Sequence, residues 1–204
     1  MIDDKIKYST AFTAGALLTR ETEAIIGSII NIEDFIVGKE TVNYTVIPVN
    51  AESSKKRLKS EIEKRLRALN NPTLIDRFTT ANKFTKNVIL FYAICKTYPI
   101  IKHFMLEVVL NKWQNLDTDL AVSDFTNFLH RKMDHHPELE KITEKSIYKC
   151  GQVVIKMLID LGMVIKNKLQ KIDVDTTILK ECNLVGDYWF MDVALLNDIE
   201  KQEI

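Results

Sequence analysis

Glycine and proline are scarce, six and four among 204 residues, so the chain has few places to turn tightly. That scarcity argues against many short strands and for long helices. Cysteine is scarcer still, and Cys95, Cys150 and Cys182 are widely separated with no C-x-x-C pair. Three unframed cysteines fit reduced thiols in a cytoplasmic protein. Neither sign of charge is in excess, with 28 Lys plus Arg against 28 Asp plus Glu. A general polyanion-coating role is not indicated, and a nucleic-acid site must arise from local segregation of charge.

Uninterrupted apolar runs are also missing. "AFTAGALL" ends after eight residues at Thr19, Arg20 and Glu21, and "VILFYAICKTYPIIKHFMLEVVL" is broken by Lys96, Pro99, Lys102, His103 and Glu107. A spanning helix needs about 20 largely uncharged residues, so no membrane partner is expected. The charged opening MIDDKIKYST lacks the apolar region of a signal peptide, and a cytoplasmic location follows. No P-loop, dinucleotide-binding glycine signature, G-x-S-x-G or H-E-x-x-H is present. The expectation is a protein that is not an enzyme, with no cofactor and no small-molecule substrate. "HRKMDHH" gathers His130, Asp134, His135 and His136, but no second cluster completes a four-ligand metal site, and it reads as solvated surface. His103 reads as a satisfied structural histidine, and Cys95 as buried and unactivated.

What is present is helical patterning. With 46% hydrophobic residues the chain can fill the core of one large or two small domains. Residues 9–31 suggest two helical segments, with Gly15 and Gly27 allowing close backbone approach. Residues 34–50 mix β-branched residues with Gly38 and Pro48 and suggest an irregular or partly extended connection. A helix over 53–69 would be capped by Ser53 or Ser54 and ended by Asn70, Asn71 and Pro72. "PTLIDRFTTANKF" suggests a short helix and turn. Residues 85–113 form the most apolar block, predicted to be central helices bent at Pro99. The composition changes after Trp113. Residues 1–115 are read as an N-terminal helical module, and 116–204 as a C-terminal winged-helix-like module. The fold class is mainly α, a helical bundle with helix-turn-helix-like modules and a small C-terminal β-hairpin.

The stretch 53–69, "SSKKRLKSEIEKRLRAL", puts seven cations into thirteen positions. At about 100° per residue, Leu58, Ile62, Leu66 and Leu69 share one sector, and Lys56, Arg57, Lys64 and Arg67 lie opposite. Glu61 and Glu63 fall on the shoulders. Arg57–Glu61, Lys59–Glu63, Glu61–Arg65 and Glu63–Arg67 are spaced i to i+4, and each such pair stabilises an exposed helix by about 0.2–0.5 kcal/mol. Part of the charge therefore serves the helix itself. Lys56 and Lys64 are expected to have no acidic partner four positions away and to stay free. Arg65 points nearer the apolar stripe.

A second basic face follows in the C-terminal half. In the helix Lys145–Leu161, Ile147, Val154, Ile155, Leu158 and Leu161 share an apolar side. Lys145, Lys149, Gln152 and Lys156 line the other, with Ser146 near. Thr143 opens this helix and Gly162 closes it. A helix over 124–136, a turn at Pro137, this second helix, and then a hairpin in "MVIKNKLQKIDV" form the order of a winged helix-turn-helix. There the second helix enters the major groove and the hairpin touches phosphates. Lys166, Lys168 and Lys171 would charge the wing. "MDVALLNDIEKQ" suggests a last helix.

Four blocks in order, "YSTAFTAGALLTRETEAI", "SSKKRLKSEIEKRLRAL", "LFYAICKTYPIIKHFMLEVV" and "ITEKSIYKCGQVVIKMLIDLGMV", resemble the BrxA family. That family comprises small accessory proteins of BREX (bacteriophage exclusion) defence systems. The resemblance spans roughly residues 8–165. Phe91 or Tyr92 stands where the family commonly has tryptophan, a departure that concerns packing, and the last forty residues match less clearly. The resemblance implies a small, mostly helical, non-enzymatic protein that binds double-stranded DNA. It would work beside other BREX proteins, including a methyltransferase, an ATPase and a phosphatase-like protein. The family's likeness to an all-helical antitermination factor keeps RNA open as an alternative partner. A protein-interaction scaffold, using exposed apolar residues near Trp189 and Phe190, is the other. The candidate nucleic-acid-binding residues are Ser54, Lys56, Arg57, Lys64, Arg67, Lys145, Ser146, Lys149, Gln152, Lys156 and Lys168. Of these, Ser54 and Arg57 also match the second block, as does Arg65.

Overall fold

Asparagines set many of the element boundaries in the computed structural model, which describes residues 6–204. The charged start of the chain, residues 1–5, lies outside the described residues. A single 3-10 turn, Ala11–Ala14, precedes helix α1 (Thr19–Ile26). Helix α2 (Ile32–Ile36) starts at Asn31, whose side chain accepts from the Asp34 N–H. The connection expected over 34–50 is irregular, with a short 3-10 turn at Tyr44–Val46 and no strand.

Helix α3 (Glu52–Leu69) begins one residue earlier than its serines suggest. Ala51 holds the N-cap position without a side-chain bond, which corrects the capping role given to Ser53 or Ser54. It ends as expected at Asn70, in the left-handed region at φ 47°. Asn71 then caps helix α4 (Pro72–Thr80), whose first residue is the proline that lacks an N–H to satisfy. Asn82 caps helix α5 (Lys83–Thr97) in the same way.

Helix α5 has no wet side over its second half: every residue from Asn87 to Cys95 is buried. At Tyr98–Pro99 the chain bends by 106° into a rod over Pro99–Gln114. The rod is helix α6 (Pro99–Phe104), a π-turn at Met105–Val109 and helix α7 (Leu110–Gln114). Proline cannot continue the α5 hydrogen-bond ladder, which places the bend there. Among the described residues no single helix is long and apolar enough to cross a membrane, and only this bent pair approaches that composition. The bend carries Phe104 to Phe125 and Phe128, with ring centroids 5.0 and 5.5 Å away, inside one continuous apolar cluster.

Helix α8 (Val122–Met133) starts two residues earlier and ends three earlier than the sequence suggests, with the Ala121 N–H donating to Asp124. A 3-10 turn at Pro137–Leu139 leads to helix α9 (Glu144–Asp160), opened by Thr143 and closed through Gly162 at φ 74°. Glycine is required at residue 151 as well. A Cβ there would sit 2.9 Å from Val122 Cγ1 and 3.1 Å from Val122 O, so α8 and α9 cross in near contact.

The expected hairpin forms from β1 (Val164–Ile165) and β2 (Lys168–Leu169), antiparallel, with Val164 opposite Leu169. Its two turn residues, Lys166 and Asn167, both have positive φ, the backbone that matches the twist of paired strands. A third segment joins the free edge of β2. The Leu169 N–H donates to Thr118 O and the Leu120 N–H to Asn167 O, at 2.7 and 2.9 Å. Sequence reading gave no hint of this addition.

Helices α10 (Thr176–Leu184), α11 (Trp189–Val193) and α12 (Asp198–Gln202) complete the chain. The one last helix read from "MDVALLNDIEKQ" is two, broken where Leu195 takes φ 60°. Helix α10 returns to α4, joined by Arg77–Asp175 at 2.6 Å and Asn71–Glu181 at 2.9 Å. Phe190 is buried and Trp189 half-buried, its indole N–H on Asp187. Leu184, Val185 and Tyr188 are the exposed apolar residues near them.

Candidate nucleic-acid interface

The heptad-like spacing of Leu58, Ile62, Leu66 and Leu69 sets α3 against the core, but the charges do not all go to water. Arg65 is 1% exposed and makes three bonds inside the fold. Its Nε donates to Glu61 at 2.6 Å, Nη1 to Ala16 O at 2.6 Å, and Nη2 to Gly15 O at 2.9 Å. Tyr98 OH donates to the same Glu61 carboxylate at 2.7 Å. Burial lowers the Arg65 pKa, and Glu61 works against that shift. Glu61 and Glu63 are both buried rather than on wet shoulders, Glu61 held by Arg65 and Tyr98 and Glu63 beside Lys59 and Arg67.

The predicted free cations of α3 are mostly engaged. Lys56 is not spare. It meets Glu52, four residues earlier, at 2.8 Å, which corrects the expectation that it has no acidic partner one turn away. The hydrogen bond with Glu52 raises the Lys56 pKa and lowers that of Glu52. Lys64 is exposed, yet its ammonium lies 4.5 Å from the centre of the Tyr98 ring. Arg67 is half-buried, donating to Phe35 O at 3.2 Å, with Glu63 at 3.9 Å. The anticipated Arg57–Glu61 pair does not form, since Glu61 is taken by Arg65 and Tyr98. Arg57 is exposed and, among the described residues, has no carboxylate in salt-bridge range. Ser54 is half-buried near the start of the helix. Arg57 and Ser60 instead line a cleft of 470 Å³ whose far wall is Ala11, Thr13 and Ala14.

Helix α9 presents its charge differently. Lys145, Ser146, Lys149, Gln152 and Lys156 are all exposed on one face, while Ile147, Val154, Met157 and Leu158 are buried. Among the described residues neither Lys145 nor Lys149 has a carboxylate in salt-bridge range. Lys156 holds Asp160 one turn on, and the Ser146 hydroxyl lies 3.0 Å from Thr143 Oγ1 at the helix start. Sequence reading missed Tyr148, 55% exposed one turn before Gln152. Its wheel position was the available signal. In the hairpin Lys168 pairs with Asp119 across the added strand at 2.8 Å, and Lys171 pairs with Glu200. Lys166 is exposed at the tip.

The two basic faces share one neighbour. The Ala11–Ala14 turn packs on both α3 and α9, anchored by Phe12, which is fully buried against Tyr98 and Phe125. Upstream, Tyr8 ties the same strand of chain to the turn between α8 and α9. Its N–H donates to Glu138 at 2.8 Å, and its ring stacks 4.1 Å from that of His136. Its hydroxyl meets His103 Nδ1, which accounts for His103 as a structural histidine. Burial, with Glu107 and Glu138 nearby, pushes the Tyr8 phenol up to about 12. His136 is thus buried, which corrects its reading as solvated surface, whereas His130, Asp134 and His135 are exposed. Cys95, Cys150 and Cys182 are buried free thiols, and burial raises the pKa of each.

A family model described as BrxA matches residues 6–181. A "BREX protein BrxA" of Bacillus cereus (strain H3081.97) is 25% identical over 167 residues, covering 80% of this chain and 83% of the relative. A "BREX protein BrxA" of Escherichia coli O9:H4 (strain HS) is 26% identical over 153 residues, covering 74% and 70%. The crystal structure of an uncharacterized protein from Magnetospirillum magneticum superposes with a TM-score of 0.76 at 15% identity. It covers 93% of this chain and 98% of that one, and it establishes the shared fold.

Proposed function

The chain belongs to the BrxA family, and on that premise we propose that it is a non-enzymatic, cytoplasmic component of a BREX phage-defence system that binds duplex DNA. In this reading α8, its turn, α9 and the three-segment sheet act as a winged helix-turn-helix, with α9 in the major groove. The observation that carries the reading is the exposed face of α9. Lys145 and Lys149 stand without intramolecular carboxylate partners among the described residues, on a helix that packs against a hairpin whose tip carries Lys166. Arg57 and Lys64 on α3 supply secondary phosphate contacts, linked to α9 through the Ala11–Ala14 turn.

The test is an anisotropy titration of the full chain against duplex DNA over a salt series. Each neutralised phosphate contributes a slope of roughly −0.9 in log K against log salt. The reading predicts a steep slope, reduced when Lys145 and Lys149 are replaced by alanine. Equal affinity for a structured RNA in direct competition would move the assignment to RNA. No duplex binding at 50 mM salt would overturn it.

One observation favours a second role alongside the first. Leu184, Tyr188 and Ile204 line an open groove of 460 Å³, and Leu184 is 79% exposed. Contact with other BREX proteins there would survive high salt, unlike the duplex contact, and a salt-resistant pull-down lost in Leu184→Glu is the expected sign.

A further inference from the structure

Resting on the duplex-binding reading of α9, we propose that Gln152 reads an adenine in the major groove and gives this protein a sequence preference. Turning about 100° per residue from the buried Gly151, Tyr148, Ile159, Gln152, Lys145, Lys156 and Lys149 follow one another across an arc of about 100°. All six are exposed, and Gln152 stands near the middle of the arc. Tyr148 and Ile159 form its apolar edge and the lysines its cationic edge. To the side of this arc, the near contact of Gly151 with Val122 fixes how closely α9 packs on α8.

The chemistry of the centre differs from that of the flanks. A lysine at the flank attracts any phosphate, and its energy carries no sequence information. A neutral amide adds little to that attraction. It can donate from Nε2 to adenine N7 while Oε1 accepts from the N6 amino group, a bidentate match that no other base pair offers. The neighbouring neutral group, the Ser146 hydroxyl, is already held at the helix start by Thr143. Lys149 lies three residues before Gln152 and Lys156 four after, about 4.5 and 6 Å along the axis. That spacing lets the pair straddle the amide and hold the helix in register on flanking phosphates, with Lys156 steadied by Asp160.

The experiment is selection from a random duplex library by the full chain, with wild type, Gln152→Ala and Lys149→Ala in parallel. Wild type is expected to enrich a motif with one fixed A·T pair. Gln152→Ala should lose enrichment at that pair while keeping its salt slope. Lys149→Ala should keep the motif and lose about 0.9 of the slope. Substituting 7-deazaadenine at the fixed position removes N7 and should weaken wild type about tenfold, with no effect on Gln152→Ala. Duplex binding without enrichment, or enrichment that persists in Gln152→Ala, overturns the proposal while the duplex-binding reading stands. Absence of any duplex binding removes both.

Discussion

Helices α3 and α9 look alike on a helical wheel, each with an apolar stripe opposite a cationic face, yet the fold treats their charges differently. Six of the seven cations of α3 are engaged within the protein, by carboxylates, carbonyls or an aromatic ring. Two of the three lysines of α9 have no carboxylate in range among the described residues. The difference lies in what surrounds them. Helix α3 carries its own carboxylates at i±4 and is flanked by Ala11–Ala16 and α2, so its cations meet partners on several sides. Helix α9 has few acidic residues on its outer face, and among the described residues nothing packs over its exposed lysines. A count of cations therefore overstates α3 as a binding surface and understates α9.

The hardest way to break this contrast is to remove Arg65, the α3 cation most fully absorbed by the fold. Leaving the buried Glu61 uncompensated should cost about 3–5 kcal/mol in urea denaturation of Arg65→Met. Adding Glu61→Gln should restore much of that. A loss below about 1 kcal/mol would show that Arg65 is not structural.

The presentation of α9 is tested next by Gly151→Ala, which forces a methyl against Val122 Cγ1 and its backbone oxygen. Overpacking of this kind costs about 1–3 kcal/mol, read as a lower denaturation midpoint. Duplex affinity should fall with it, because α9 is displaced from α8.

Charge reversal compares the two faces directly. Lys145→Glu with Lys149→Glu should remove about 1.8 from the salt slope, two contacts at roughly 0.9 each. Lys56→Glu with Lys64→Glu should remove less, since Lys56 is already held by Glu52. Equal losses from the two pairs would erase the contrast between the helices.

The smallest effect is one of pH. Burial lowers the pKa of His103, with Lys102 and Lys132 adding to the shift and Glu107 opposing it. Below about 6.5 the unfolded chain then binds more protons than the folded one. The stability contributed by His103 is complete above that pH and is lost as the pH falls toward the folded value. The midpoint at pH 5.5 should lie below that at pH 7.5, and His103→Gln should flatten the difference.

Much of the fold was legible because its signals are local. The αL ending at Asn70, the Thr143 and Gly162 limits of α9, the bend at Pro99 and the two-residue hairpin each follow from a few neighbouring residues. The face of α9 was legible too, since spacing alone places Lys145, Lys149, Gln152 and Lys156 together. The errors arose where a partner was distant or was missed. Glu52, one turn before Lys56, was overlooked although the spacing gave it. Tyr98, which takes Glu61 and covers Lys64, lies 37 residues from Glu61. The bridge that Thr118–Leu120 makes to β2 is too short to carry an alternation signal and exists only because β2 offers it an edge.

Periodicity by itself determined which residues of this protein turn inward and where most helices start and stop, because burial and capping act over one or two turns. Which cations remain available to a polyanion was decided only in three dimensions, because a charge is neutralised by whatever carboxylate, carbonyl or ring the fold brings to within a few ångströms, regardless of its place in the chain.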